Sequence, residues 1–144
     1  MWAFYAEEHQ GAVIEFATSH AFFVEDPMLR TIHYSDTRPT THYGDTSLGY
    51  TYEKSLDWQY EREWRTQERF RKMTRHLLED GKIIHLMSVP PECFKAVYLG
   101  ARIETQQKNQ FLALMKEERH RHIALYQCQP SLTQFALQFI PATD

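Results

Sequence analysis

The sequence predicts an α+β fold, with a mixed or antiparallel sheet of about five to seven short strands and two or three helices. Strand-like and helix-like patterns both occur, and they do not alternate in the regular order of a parallel α/β protein. Aromatic residues make up 14% of the chain, which favours a strand-rich core. The 144 residues are enough for one domain, which is predicted over residues 1–144.

The first third of the chain predicts a helix, two strands and a loop. A short helix ending at Gly11 is expected, because four residues fall at helical spacing: Trp2, Tyr5, Ala6 and His9. Strands are predicted over residues 12–17 and 31–35, with an Asp26–Pro27 turn in the connection between them. Residues 36–47 are rich in Thr, Pro, Gly and Asp, which is typical of a surface loop.

The segment over residues 54–66 combines large rings with opposite charges more densely than any other stretch. Ser55 is predicted to cap one helical turn. If the chain is extended from about Glu61, then Glu61, Glu63 and Arg65 share one face and Trp64 lies on the other. If it is helical, Glu61 and Arg65 form an i,i+4 ion pair. Either way, two carboxylates and a guanidinium lie beside a tryptophan anchor.

Two structures compete between residues 70 and 81. Phe70, Met73 and Leu77 recur at helical spacing and Gly81 follows as an end signal, which favours a helix. The alternative is a hairpin, because Asp80–Gly81 is a strong two-residue turn signal.

The C-terminal part predicts strands separated by one longer helix. The helix is expected from Thr105 to about Arg119, with Phe111, Leu114 and Met115 buried. A short helical turn is expected after Pro90–Pro91. Alternation or apolar runs predict strands over residues 82–87, 96–99, 123–128 and 134–140. In the last of these, Phe135, Leu137 and Phe139 are predicted to share one face.

Composition excludes several classes of protein. The net charge of −3 and the pI of about 6.2 give no overall argument for nucleic-acid binding or for an anionic membrane surface. No apolar run approaches the roughly 20 residues of a membrane span, and no signal peptide is recognisable, so a cytoplasmic protein is expected. Cys93 and Cys128 are expected to be reduced, buried thiols. His120 and His122 form a close pair, but no metal-binding spacing accompanies them and no metal site is predicted.

Three blocks of the sequence occur together in a familiar order. They are Trp2-x-x-Tyr5-Ala6-x-x-His9-x-Gly11, then Lys54-x-x-x-Trp58-x-Tyr60-Glu61-x-Glu63-Trp64-Arg65, then Val97-Tyr98-Leu99-Gly100-Ala101-Arg102. In that order they resemble the bacterial family known as domain of unknown function 2971, and the second block is the most specific. The resemblance implies an α+β fold without an established activity. It also implies that an N-terminal region of the family is missing, which would make this chain the C-terminal part of a larger family domain.

The residues Glu61-Arg62-Glu63 resemble the Glu-x-Glu pair of arginine-type ADP-ribosyltransferases. That resemblance implies a catalytic pair in which Glu63 stabilises an oxocarbenium-like sugar and Glu61 orients the acceptor. It also implies NAD as the bound nucleotide. The side chains predicted to contact substrate are Tyr5, His9, Tyr34, Lys54, Trp58 and Arg65.

Two other hypotheses stay open, and the sequence does not decide whether the chain is an enzyme. In one, the chain is a non-catalytic binding or interaction module that docks on a partner protein or a second copy through its apolar start, Trp2, Phe4 and Tyr5. The charges of the central segment are then a structural salt-bridge hub. In the other, the arginines between residues 62 and 75 bind nucleic acid, although interleaved glutamates favour a solvated face of mixed charge there.

Overall fold

The computed structural model describes residues 6–40, 49–69 and 72–142 and confirms the α+β class. The chain divides into two compact units. The first, here called the sheet unit, comprises Met1–Phe22 and Val89–Asp144, and the second, the network unit, comprises Phe23–Ser88. That both belong to a single domain over residues 1–144 stays a prediction.

The strands among the described residues form four small sheets, where the sequence had predicted one larger sheet. Their bounds are β1 Ala12–Phe16, β2 Arg30–Thr31, β3 His33–Ser35, β4 Glu53–Ser55, β5 Trp64–Arg65, β6 Thr74–Leu77, β7 Ile83–Leu86, β8 Phe94–Leu99, β9 Ala124–Pro130 and β10 Leu137–Pro141. The helices are α1 Ala21–Val24 and α2 Thr105–Lys116, and short 3-10 turns cover Gly49–Tyr52, Leu56–Glu61, Pro91–Cys93 and Glu118–His120.

The sheet unit is built on a four-stranded mixed sheet in the order β1-β8-β9-β10. The pairs β1–β8 and β9–β10 are antiparallel, whereas β8 and β9 run parallel. A parallel pair needs a long crossover connection, and α2 lies in the one between these strands. The apolar core consists of Val97, Leu99 and Ile123, against which side chains of the helix such as Phe111 and Met115 pack. Cys93 and Cys128 are free and buried, as expected.

Gly100 ends β8 at a point where the backbone of residues 9–11 comes very close. A Cβ atom at Gly100 would lie 2.1 Å from the carbonyl oxygen of His9. The same contact is held by two hydrogen bonds, from the Gly100 amide to Gly11 O at 2.9 Å and from the Arg102 amide to His9 O at 2.8 Å. The sequence places a glycine here because any side chain would meet backbone rather than a movable group.

Several predictions for the sheet unit are wrong in detail. Residues 7–9 are not helical, because Glu7, Glu8 and His9 all have left-handed backbone with φ of 47°, 53° and 71°. Residues 1–5 lie outside the described residues. Helix α2 begins at Thr105 as predicted, but it ends at Lys116 rather than Arg119.

Two apolar side chains of the sheet unit differ from their predicted positions. Leu114 lies on the solvent side of α2, although its neighbours Phe111 and Met115 are packed against the core as predicted. Phe135 is fully exposed in the loop before β10, so it does not share a strand face with Leu137 and Phe139. Strand β10 is shorter than predicted, because its pairing with β9 begins only at Leu137.

The network unit has three two-stranded sheets and little apolar core. The strand predicted over residues 31–35 is interrupted at the buried Ile32, so β2 pairs with β5 and β3 pairs with β4. The helix predicted after Phe70 is wrong, and the alternative hairpin is right, because β6 and β7 are antiparallel neighbours. Of the predicted loop, residues 36–40 are exposed and without strand or helix, and residues 41–48 lie outside the described residues.

Candidate functional site

The centre of the network unit is a set of four charged side chains, here called the charge network: Lys54, Glu61, Glu63 and Arg65. The Lys54 ammonium donates to Glu61 Oε2 and, at 3.1 Å, to Glu63 Oε2. Arg65 holds Glu63 from the other side, with Nε 2.5 Å from Oε1 and Nη2 3.0 Å from Oε2. Its Nη1 donates to the carbonyl of Thr51 at 2.5 Å. Glu63 is therefore bound at both oxygens, by two different cations.

Backbone pairing brings these side chains together. Strands β3 and β4 run parallel with Tyr34 beside Lys54, and the amide of Glu63 donates to the Tyr34 hydroxyl at 2.8 Å. The Ile32 amide donates to the Glu63 carbonyl at 3.0 Å. As predicted, the Ser55 hydroxyl caps the turn that follows by accepting from the Asp57 amide. That turn carries Trp58, whose ring centre lies 5.1 Å from the Lys54 ammonium.

The turn ends at Arg62, which has left-handed backbone with φ 48° and ψ 47°. Its amide donates to Gln59 O at 3.2 Å, which closes the turn, and the chain then enters β5. A left-handed residue at the end of a helical turn is usually glycine, because a Cβ there is strained. The reversal at Arg62 sets Glu61 and Glu63 on the same side, where Lys54 reaches both.

The electrostatics of the charge network favour the ionised form of every partner whose titration is shifted. Arg65, and then Lys54, hold the pKa of Glu63 below its usual range. Hydrogen bonding to Glu61, more than to Glu63, raises the pKa of Lys54. Glu63 likewise raises the pKa of Arg65. Glu63 is thus a carboxylate at neutral pH, which can accept hydrogen bonds but has no proton to donate.

The structure groups most of the residues that the sequence predicted for the site. Tyr34, Lys54, Trp58, Glu61, Glu63 and Arg65 all lie in or beside the charge network. Tyr5 lies outside the described residues. His9 belongs to the sheet unit, where its carbonyl accepts from Arg102, and its role in a binding site stays a prediction.

The sequence analysis missed two features of the site. One is the bridging role of Lys54, which depends on the pairing of β3 with β4 and has no local signal. The other is Trp64, expected to be an anchor but in fact 62% exposed. The alternation that placed Trp64 opposite Glu63 was the available signal, because it put the ring on the outer face.

Beside the charge network the network unit has an open cleft of about 580 Å³, here called the aromatic cleft. Its walls combine three rings with polar and charged groups: Thr31, Ile32, Tyr34, Gln59, Tyr60, Arg62, Glu63 and Trp64. A second cleft of about 360 Å³ has Lys54 in its wall, together with residues of the 35–39 loop. The described residues contain no group of three or more His, Cys, Asp or Glu side chains that could hold a metal ion. In the same residues, no helix is long and apolar enough to cross a membrane.

Comparison with known proteins gives one finding. Residues 1–66 match the model of a family described as "Protein of unknown function (DUF2971)", which confirms the resemblance. The match includes the first two sequence blocks and the whole charge network, whereas the third block, at residues 97–102, lies beyond it. No curated protein and no solved structure matches the chain.

Proposed function

We propose that the chain is a non-catalytic binding module and that its charge network is a structural hub. The family whose model matches residues 1–66 is of unknown function and names no activity for the chain. One observation carries this proposal: both carboxylate oxygens of Glu63 are already engaged by Arg65 and Lys54. A carboxylate that acts on a substrate needs a free oxygen at the reacting atoms. Here Lys54 Nζ, Arg65 Nε and Arg65 Nη2 occupy three of the roughly four positions at which the carboxylate can accept, so a substrate would compete with two ion pairs.

The surroundings of Glu61 support the same proposal. Its side chain is only 5% exposed and is tied to the Lys54 ammonium. Lys54 is itself largely covered and lies against the Trp58 ring. Charges that are removed from water in this way must be paired, and removing one partner leaves the other uncompensated. The network therefore has the properties expected of a group of side chains that fixes the local backbone.

A second candidate is an ADP-ribosyltransferase-like, nucleotide-binding enzyme that uses Glu63 and Glu61. The observation that favours it is the convergence of both carboxylates on one ammonium beside a cleft lined by three aromatic rings. In this candidate Glu63 would stabilise the positive charge that develops on the sugar of NAD, and its ionised state at neutral pH suits that role. Arg65 or Lys54 would then have to release it on substrate binding.

The binding role includes a partner protein or a second copy of the chain, docked through the aromatic N-terminal segment. The support is from the sequence alone, since Trp2, Phe4 and Tyr5 lie outside the described residues. Where large apolar side chains form a contiguous exposed surface, they usually mark an interface.

The test compares wild type with Glu63→Gln for two properties, NAD turnover and stability to urea. We expect no NAD hydrolysis or ADP-ribosyl transfer by wild type, and a free energy of unfolding lowered by about 1–3 kcal/mol in the variant, as for a broken buried network. Glu68→Gln is the matched control, because the side chain of Glu68 accepts from the Arg69 amide and from the exposed Lys72 and lies outside the charge network. Turnover by wild type that disappears in Glu63→Gln, with stability unchanged, would replace the proposal with the enzyme candidate.

A further inference from the structure

The aromatic cleft has features that the structural hub does not require. Tyr60 is 58% exposed and Trp64 is 62% exposed, although both line a concave surface. Large rings are costly to leave in water, and exposed rings in a cleft are typical of a surface that binds another flat apolar group. The Tyr60 ring is held in place by the Trp58 ring, with centroids 6.1 Å apart. The rings of Tyr60 and Trp64 are thus exposed to solvent, and no side chain among the described residues covers them.

Arg62 is the second independent feature of the cleft. Its left-handed backbone, with φ 48°, is the conformation that favours glycine, because a Cβ is strained there. Among the described residues no hydrogen bond or ion pair of its guanidinium is found. At the wall of a cleft the chain therefore retains a strained arginine whose guanidinium has no charged or hydrogen-bonding partner within the described part of the chain.

The charges around the cleft favour an anion at Arg62. In the charge network, the cations Lys54 and Arg65 offset the anions Glu61 and Glu63. Glu63 also lines the cleft, but its charge is offset by Arg65 and Lys54, and every lining residue other than Glu63 and Arg62 is neutral, so Arg62 is the charge of the wall without an offset among the described residues. A guanidinium forms its strongest hydrogen bonds with carboxylate or phosphate groups.

We propose that the aromatic cleft binds a nucleoside monophosphate, with the base stacked on Trp64 and Tyr60 and the phosphate held by Arg62. A nucleotide combines three chemical groups to which the residues of the cleft wall are complementary: a flat ring, sugar hydroxyls and an anion. Thr31 and Gln59 supply neutral hydrogen-bonding groups for the hydroxyls. The volume of about 580 Å³ lies in the ordinary range for small-ligand clefts. This inference rests on the proposed binding role and names its ligand.

The experiment is a calorimetric titration that measures the affinity of the protein for three probes: adenosine 5′-monophosphate, adenosine and ribose 5-phosphate. Wild type should bind the monophosphate more tightly than adenosine, and ribose 5-phosphate most weakly, because base stacking and the phosphate contact each contribute. Arg62→Gly should weaken binding of the monophosphate about tenfold while leaving adenosine unchanged. Trp64→Leu should weaken both ligands alike, by about tenfold.

Arg62→Gly is a favourable test variant because glycine adopts the same backbone without strain, so its melting temperature should be equal to that of wild type or higher. Arg69→Ala, which removes an exposed arginine of the same unit outside the cleft, is the matched control and should bind as wild type does. The inference is overturned if the three probes bind wild type equally weakly, or if Arg62→Gly weakens adenosine as much as the monophosphate. Neither result depends on NAD turnover, which tests the proposed function separately. If wild type turned over NAD, the proposed function would fail, but measured binding of the monophosphate would still support this inference.

Discussion

The sheet unit and the network unit are stabilised by different interactions. Seven of the nine buried apolar residues of the described chain lie in the sheet unit, where strands β8 and β9 are covered by α2, and only Ile32 and Tyr52 lie in the network unit. The network unit has instead three separate strand pairs and a set of short ion pairs. Apolar burial depends little on pH, whereas an ion pair disappears when either partner loses its charge.

The same difference bears on where the proposed binding site lies. The unit with the apolar core has a fold explained by its own packing, down to the glycine that lets two backbone segments meet. The unit with the charge network holds both clefts described above and presents exposed rings. Binding surfaces are usually found on segments of low intrinsic stability, because surfaces that bind must leave polar and aromatic groups uncovered.

The largest expected effect is on the sheet unit, from Gly100→Ala. The new Cβ would lie 2.1 Å from a backbone oxygen, so the strand end or the 9–11 segment must move. We expect the free energy of unfolding to fall by about 3 kcal/mol, at the upper end for overpacking. Urea unfolding measures it. Gly81→Ala in the network unit is the control, since no atom lies within 4 Å and only its left-handed backbone opposes the change, by about 1 kcal/mol. Equal effects of the two substitutions would contradict the role given to Gly100.

The next effect is the acid sensitivity of the network unit. Glu63 has a lowered pKa in the folded chain, so its stabilising effect is complete above the unfolded value of about 4.5 and is lost as the pH falls through the folded value. In that window the unfolded chain binds the proton more readily, and acid favours unfolding. Regional amide hydrogen exchange should therefore show residues 49–66 opening at a higher pH than the core around Leu99.

Glu63→Gln provides the control for this acid transition. The variant cannot be titrated at this position, so its stability should depend less steeply on pH below about 5 than that of wild type. Glu15, Glu68 and Asp80 also have lowered pKa values, and their share of the acid effect remains in the variant. A pH dependence that is identical in wild type and variant would mean that the ion pairs of Glu63 do not stabilise the fold.

Local signals in the sequence were enough to predict several strands of the sheet unit and most residues of the charge network. The alternation of residues 12–16 and the short strand ended by Gly100 were enough to predict β1 and β8, which are direct neighbours. The spacing of Glu61, Glu63 and Arg65 predicted that they would meet. The link through Lys54 could not be predicted, because it requires a parallel pairing between strands that are about twenty residues apart along the chain.

The hairpin of β6 and β7 shows how a correct periodicity can give a wrong element. Phe70, Met73 and Leu77 have helical spacing. However, a match of three apolar residues over eight positions arises by chance more often than a match over a longer segment. The turn is the stronger signal: Gly81 has φ 82°, and the Lys82 amide donates to Asp80 Oδ1 at 3.0 Å. β-branched Ile83 and Ile84 directly after it favour a strand.

A smaller effect is expected at the start of the turn in the charge network. Ser55→Ala removes the side chain that accepts from the Asp57 amide, which should lower the free energy of unfolding by about 1 kcal/mol or less. Thermal unfolding measures it, and Ser55→Asp should restore most of the loss, because aspartate caps equally well. A loss above about 2 kcal/mol would mean that the cap positions Lys54 and not only the turn.

The smallest effect is expected at the turn end of the hairpin, where Leu77 pairs directly with Ile83. Leu77 is 70% exposed, so Leu77→Thr removes little buried surface and keeps a residue that suits a strand. We expect a change within about 0.5 kcal/mol, against about 2–5 kcal/mol for Leu99→Ala in the core of the sheet unit. Urea unfolding at two protein concentrations measures both. If Leu77→Thr instead costs more than about 1.5 kcal/mol, and the cost grows with protein concentration, the hairpin face is covered by a second copy of the chain. The network unit would then derive from association the apolar burial that the sheet unit provides for itself.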